Sequence, residues 1–201
     1  MRGVLTLSIP DGAGGMTKTF TGTLFGDTGQ SVSGEVVFQT GQVGYNESLT
    51  DPSYRGQILV LTYPLIGSYG VPDITAKDIN GLSQNFESDS IHLQALVVGE
   101  YIDTPSHHES VTTLDAWLRT EGVIGIHGVD TRALVEIIRE HGTLHGKSID
   151  SYTKNLTRVE TVKAPYLHGI RYRWLKDQRS TKHYGLCTLS SVTNLLVLVI
   201  Y

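Results

Sequence analysis

The sequence predicts an α+β domain of layered β/β/α type over residues 1–150, with strands first and two helices late. Three observations predict it. Runs of strand length, rich in β-branched and aromatic residues and broken by glycine and aspartate, fill the first 65 positions. Apolar residues at helical spacing appear only after residue 110. Charge and glycine content both change abruptly near Asp150, which sets the domain's far edge.

Taken in order, Val4–Ile9 alternates partly, Thr17–Phe25 is rich in Thr and Phe, and Gly34–Thr40 carries the β-branched pair Val36-Val37. Gln57–Tyr63 is a continuous apolar run of strand length, as expected of a central strand covered on both faces. Ile91–Glu100 reads as a further strand. Thr112-Thr113 followed by Leu114, Trp117 and Leu118 predicts a short helix stopped by Gly122. Val123–Ile126 is a short strand. Asp130 or Thr131 caps a second helix with Leu134, Ile137 and Ile138 on one face, Arg139 and His141 in its last turn and Gly142 in a left-handed C-cap. Leu144–Ile149 closes the domain. No internal repeat is visible.

The 201 residues carry a formal charge of −4, which hides a split. Residues 1–150 hold 8 Lys+Arg against 18 Asp+Glu, and residues 151–201 hold 8 against 2. Glycine falls from 20 residues to 2 across the same boundary. The acidic part argues against nucleic-acid binding, since phosphate neutralisation needs a surplus of Lys and Arg. The basic tail has scattered charges and reads as a loosely structured extension rather than a polyanion site. A single cysteine, Cys187, excludes an internal disulfide framework and fits a reducing compartment. The longest apolar run, Leu195–Tyr201, is far below the ~20 residues of a membrane helix, and the N-terminus lacks a signal-peptide core. A soluble, cytoplasmic protein is expected, with no membrane partner.

The densest stretch of candidate chemistry is Gly41–Pro72. Thr50-Asp51-Pro52-Ser53 has turn chemistry, because Asp can bond its own backbone and Pro fixes φ. That turn places Ser53, Tyr54 and Arg55 at the mouth of the strand Gln57–Tyr63. Tyr63-Pro64 and Gly67-Ser68-Tyr69-Gly70 form a second loop at its other end. Two rigid loops flanking a buried strand either present polar groups to a ligand or are simply tight turns with tyrosines packed as lids.

Other candidates are weaker. Ser53 lacks the glycines of a nucleophile elbow. Cys187 is followed by Thr188 and Leu189 rather than a small residue, and no base histidine follows it; His183 lies upstream. His141 and His145 have i, i+4 spacing, but Gly142 ends the helix between them. His107 and His108 are adjacent and should point apart, and Glu87 and Asp89 read as solvated loop carboxylates. No catalytic residue and no metal site is expected here. Gly12-Ala13-Gly14-Gly15 lacks the Lys-Ser/Thr of a phosphate loop. Asn46-Glu47-Ser48 and Asn155-Leu156-Thr157 match the glycosylation triplet without a secretion signal.

Residues 33 to about 149 resemble the N-terminal domain of the small, glutamine-using subunit of carbamoyl phosphate synthetase. The resemblance is carried by Gly34-Glu35-Val36-Val37-Phe38-Gln39-Thr40, by Gly44-Tyr45, by Leu49-Thr50-Asp51-Pro52-Ser53-Tyr54 and by Gln57 through Pro64. Ile66-Gly67-Ser68-Tyr69-Gly70, Gly128-Val129-Asp130-Thr131-Arg132-Ala133-Leu134 and Ile138-Arg139-Glu140 continue it. Asn85-Phe86-Glu87-Ser88, and Glu100-Tyr101 through Pro105-Ser106-His107, look most like the eukaryotic version fused into the multifunctional pyrimidine-pathway protein.

The resemblance implies a layered β/β/α fold of swivelling-domain type. It also implies a process, in which glutamine supplies ammonia that a synthetase combines with bicarbonate and two ATP to make carbamoyl phosphate for pyrimidine or arginine synthesis. The implied partners are a class I glutamine amidotransferase domain and a synthetase large subunit or fused synthetase domain. ATP and Mg belong to that synthetase, and no cofactor is implied for this chain. Ser53 is the one residue the resemblance assigns to a ligand, glutamine.

After Ile149 the family pattern should run into an amidotransferase, yet residues 151–201 show no cysteine elbow and no His-x-Glu. They are read as non-family sequence: a disordered extension, or the product of a truncated gene model, intron read-through or frameshift. The chain alone is then expected to be inactive. The alternative is a stand-alone binding or regulatory module that docks on a synthetase subunit without catalysis.

Overall fold

The computed structural model describes residues 1–10, 15–150, 166–167, 170–176, 183–189 and 197–199. The chain divides into two units, Met1–Lys154 and Asn155–Tyr201.

The first unit has seven strands: β1 (Arg2–Ile9), β2 (Met16–Gly26), β3 (Val32–Gln39), β4 (Gln57–Leu61), β5 (Ala95–Val98), β6 (Ile124–His127) and β7 (Leu144–Asp150). They close into a barrel in the order β1-β2-β6-β5-β4-β3-β7, with β7 pairing back onto β1. The β3–β4, β4–β5 and β5–β6 pairs are parallel and the others antiparallel. Three helices accompany them: α1 (Tyr45–Thr50), α2 (Leu114–Glu121) and α3 (Thr131–His141), with a 3₁₀ turn at Pro52–Tyr54. The strand-rich α+β class, with the two longer helices late, matches the sequence expectation.

Every side chain of β4 after Gln57 is buried, and the pleat sends them to two different cores. Ile58 and Val60 join Leu5, Leu7, Ile9, Phe20, Leu24, Val36, Ala95, Val97, Ile124, Ile126 and Leu144 inside the barrel, with Leu134, Ile137 and Ile138 of α3. Leu59 and Leu61 face the other way, to Leu49 of α1, Leu114, Trp117 and Leu118 of α2, and Phe86, Ile91, Leu93, Leu96 and Val98. The strand predicted to be covered on both faces is so covered. Closure demands small residues, Gly146 of β7 among them, where a Cβ would run into Cγ2 of Val36 inside the barrel.

The helix ends follow the sequence with one change. Thr113 Oγ1 accepts from the Ala116 amide at 3.2 Å, and Gly122 ends α2 in the left-handed region at φ 66°, ψ 41°. Asp130, rather than Thr131, caps α3, its Oδ1 accepting from the Ala133 amide at 3.0 Å. Gly142 caps the other end at φ 75° but ψ −129°, which corrects the left-handed cap expected there. The chain must turn straight into β7, so it extends at ψ instead of coiling for another residue.

Two further readings are corrected. Residues 45–50, read as part of a strand region, form α1. The strand expected over Ile91–Glu100 is confined to Ala95–Val98, because the His92 amide and carbonyl bond to Leu49 and Gly56 instead of to a neighbouring strand.

The second unit contains a four-stranded antiparallel sheet in the order β11-β10-β9-β8, from β8 (Tyr166–Leu167), β9 (Ile170–Lys176), β10 (His183–Leu189) and β11 (Val197–Val199). Among the described residues no helix is long and apolar enough to cross a membrane.

Leu96→Ala, at a fully buried site between the barrel and α2, is expected to cost about 2–5 kcal/mol. Gly146→Ala should cost about 1–3 kcal/mol by overpacking the barrel interior. Urea denaturation of each variant measures both, and a Gly146→Ala protein as stable as the parent refutes the closure argument.

Candidate functional site

The Ser53 turn is built as the sequence suggests. Asp51 Oδ1 accepts the Ser53 amide at 2.8 Å, the Arg55 amide donates to the Pro52 carbonyl at 3.1 Å, and the chain then enters β4. Proline at the first position of the 3₁₀ turn needs no amide partner there. Ser53 is exposed and Tyr54 and Arg55 are half-buried. The backbone of Ser53 is therefore tied down while its hydroxyl makes no hydrogen bond among the described residues. A fixed, unpartnered hydroxyl is both a donor and an acceptor on offer.

Sequence reasoning did not find the helix that leads into this turn. Helix α1 begins at Gly44 with no side-chain cap of its own, and its last residue, Thr50, adjoins Asp51. Its first turn is capped from a distance: the Tyr69 hydroxyl oxygen accepts the Gly44 and Tyr45 amides, both at 2.9 Å. The Tyr69 ring stacks on Tyr45 at 4.0 Å, and the Tyr45 hydroxyl donates to the Gly70 carbonyl at 2.6 Å. The second Gly/Pro loop thus holds the first.

The C-terminal end of α1 is fastened by a segment around Ser88. Thr50 Oγ1 donates to the Asn46 carbonyl and accepts the Glu87 amide, each at 2.9 Å. Ser88 Oγ donates to the Thr50 carbonyl at 2.6 Å and lies 2.9 Å from His92 Nε2. The contacts of Thr50 with Glu87 and Ser88 join residues 37 and 38 positions apart, which explains why local pattern did not show them. The nearest signal was the Asn85–Ser88 run noted for its resemblance alone.

The remaining candidates do not converge on this turn. His141 ends α3 and His145 lies on β7, both exposed. His107 and His108 do not point apart as expected: their rings lie 4.4 Å apart. The turn closed by the Ser110 amide on the His107 carbonyl, with the Glu109 amide on His107 Nδ1, curls successive side chains to one side. Glu87 and Asp89 are exposed, and no cluster of three metal-ligating side chains exists among the described residues. Cys187 and His183 lie on β10, where the structure describes the backbone only. Residues 12–14 and 155–157 lie outside the described residues.

The clamp on α1 has a measurable signature. Tyr69→Phe leaves two amides without their acceptor and should cost about 1–3 kcal/mol in urea denaturation. Burial, followed by the neighbouring Tyr69, pushes the Tyr45 hydroxyl far above its ordinary 10.0. The folded protein then keeps a proton that the unfolded chain loses. This contribution is fully present below about pH 10 and declines as pH rises above it. Denaturation between pH 9 and 11.5 should show that decline, and Tyr45→Phe should flatten it; an unchanged slope in that variant refutes the assignment.

Comparison with known proteins bears on the same segments. The family model for the carbamoyl-phosphate synthase small chain, CPSase domain, matches residues 15–148. The multifunctional protein CAD of Squalus acanthias is 55% identical over 175 residues, covering 81% of this chain and 8% of that protein. Multifunctional protein URA2 of Saccharomyces cerevisiae is 47% identical over 146 residues, covering 72% of this chain and 6% of that protein. The arginine-specific carbamoyl phosphate synthase small chain of the same yeast is 46% identical over 171 residues, covering 85% of this chain and 39% of that protein. The chain thus spans under a tenth of the two multifunctional relatives and about two-fifths of the small chain. A solved aminopeptidase from Aneurinibacillus sp. strain AM-1 overlaps 74% of this chain and 32% of its own at a TM-score of 0.35 and 12% identity, a likeness too slight to argue from. With the family model covering β2 to β6, most of β7, the Ser53 turn and both late helices, the chain belongs to the carbamoyl-phosphate synthase small chain family, in its CPSase domain.

Proposed function

We propose that this domain is the N-terminal, non-catalytic part of a glutamine-dependent carbamoyl phosphate synthase, serving pyrimidine or arginine synthesis in the cytoplasm. In this reading it supports a class I amidotransferase domain and docks on a synthetase subunit or fused synthetase domain. The amidotransferase releases ammonia from glutamine, and the synthetase, using ATP and Mg²⁺, combines it with bicarbonate to give carbamoyl phosphate. The swivelling-domain type of layered fold belongs to the same reading, as does a domain edge near Asp150, close to residue 148 where the match to the family model ends.

The observation that carries the reading is the Ser53 hydroxyl: exposed, without a hydrogen-bond partner among the described residues, and set on a turn whose backbone is tied by Asp51. Free glutamine presents a carboxylate and an ammonium on one carbon. A serine hydroxyl can donate to the first and accept from the second. Ser53 would bind and orient glutamine from one side, and the nucleophile would come from the amidotransferase. Ser53 itself takes no proton and forms no bond in the reaction.

In the glutamine-dependent holoenzyme, Ser53→Ala is expected to raise the KM for glutamine about tenfold, the equivalent of one charge-assisted hydrogen bond. Synthesis driven by added ammonia should be unchanged. A glutamine KM equal to the parent's sinks the assignment of Ser53. The 201-residue chain by itself should release no ammonia from glutamine, and turnover in a direct ammonia assay would overturn the non-catalytic reading.

A further inference from the structure

The Ser53 turn stands on two feet, residues 49–50 and residue 56, and one segment holds both. Ahead of the turn, the His92 amide donates to the Leu49 carbonyl at 3.2 Å, the Glu87 amide to Thr50 Oγ1 at 2.9 Å, and the Ser88 hydroxyl to the Thr50 carbonyl at 2.6 Å. Behind it, the Gly56 amide donates to the His92 carbonyl at 3.2 Å. The segment is itself anchored by Phe86 and Ile91, both buried in the core outside the barrel. Three of these four contacts use the segment's backbone, namely the His92 and Glu87 amides and the His92 carbonyl. The fourth depends on a hydroxyl that is free to rotate unless something holds it.

His92 is placed to hold it. Ser88 Oγ has one hydrogen and three oxygen or nitrogen neighbours: the Thr50 carbonyl at 2.6 Å, His92 Nε2 at 2.9 Å and the Ser90 carbonyl at 3.2 Å. Neither carbonyl can donate. The shortest contact claims the hydrogen, so Oγ meets the imidazole with a lone pair, and Nε2 must carry a hydrogen of its own. With that tautomer the imidazole donates to Oγ and leaves the hydroxyl hydrogen to the near Thr50 carbonyl, whereas with the other tautomer Nε2 would be a third acceptor competing for one hydrogen.

We propose that His92 is a positioning residue for Ser53. Its Nε2–H fixes the Ser88 hydroxyl on the Thr50 carbonyl and so sets the geometry of the turn that presents Ser53. The inference rests on the reading of Ser53 as a glutamine contact. His92 touches neither glutamine nor the reacting atoms; it acts through Ser88 and the backbone of residues 50–53.

Two measurements test it. In the holoenzyme, His92→Ala and Ser88→Ala should each raise the glutamine KM about five- to tenfold, with kcat at saturating glutamine and ammonia-driven synthesis within about twofold of the parent. His92→Gln, whose amide nitrogen reaches about as far as Nε2, should restore KM to within about twofold, and the double alanine variant should be no worse than either single one. In the 201-residue chain, nitrogen-15 shifts should report the Nε2–H tautomer at His92, and His92→Ala should speed hydrogen exchange of the Ser53 amide about tenfold.

If Ser53→Ala raises KM while His92→Ala leaves KM and Ser53 exchange unchanged, the positioning role falls and the glutamine reading stands. If Ser53→Ala leaves KM unchanged, the glutamine reading falls, and unchanged Ser53 exchange in His92→Ala then removes the positioning role as well. A His92→Gln protein as impaired as His92→Ala, or an Nδ1–H tautomer, overturns the proposal directly.

Discussion

Burial of β4 and β5 on both faces is the constraint on which the rest of this domain depends. A parallel strand pair cannot be joined by a tight hairpin, so long connections must leave one end and return to the other. Those connections are where α1, the Ser53 turn and the loops around Tyr69 and Ser88 lie. Their apolar residues, Leu49, Ile66, Phe86 and Leu93 among them, cover the outer face that Leu59, Leu61, Leu96 and Val98 would otherwise expose. The site-bearing loops are therefore half of a core. Their rigidity follows from that packing, because loosening them would bare four large apolar side chains to water.

The polar contacts act on a finer scale. Apolar packing fixes a helix to within a rotation or a small slide, since many arrangements bury similar area. Directional bonds remove that freedom. Helix α1 has only six residues, too few to be stable by propensity, and it lacks a side-chain cap. Tyr69 at one end and the Ser88 hydroxyl at the other supply the missing partners from separate loops. Each bond is worth about 1 kcal/mol net, but leaving its partner buried and unpaired costs more, so the set selects one position.

What could be read from the sequence divides along this line. The strand Gln57–Leu61, the helix Leu114–Glu121 with its Thr113 and Gly122 ends, and the Asp51 turn are each specified by neighbours a few residues away. Periodicity, capping and turn rules work at that range. Closure of the barrel was not legible, because the β1–β7 pairing joins Val4 to Ile149 and leaves no mark on either segment except small residues such as Gly146. Helix α1 was missed for the same reason: its cap is a tyrosine 25 positions on. Ser53 was reached by resemblance and turn chemistry together. Ser88 and His92 were not, since nothing within the run Asn85–His92 shows that it will meet Thr50.

On the proposed reading, Ser53 belongs to a site completed by another domain, and such a hydroxyl sets its own requirements. Left exposed, it costs little while empty, because water can bond it. It contributes little on binding, however, if its backbone must first be ordered, since fixing even two residues costs about 2–4 kcal/mol, more than one hydrogen bond returns. The economical arrangement is a serine whose main chain is already held and whose side chain alone is unpaired. Asp51 holds the Ser53 amide, Pro52 holds φ ahead of it, and the two feet of the turn are bonded to the 86–92 segment. A split site needs this more than a whole one, because neither half can borrow order from the other until they meet. The clustering of bonds around an otherwise small turn follows from that requirement, and it places the ordering cost in folding, where the core outside the barrel already meets it.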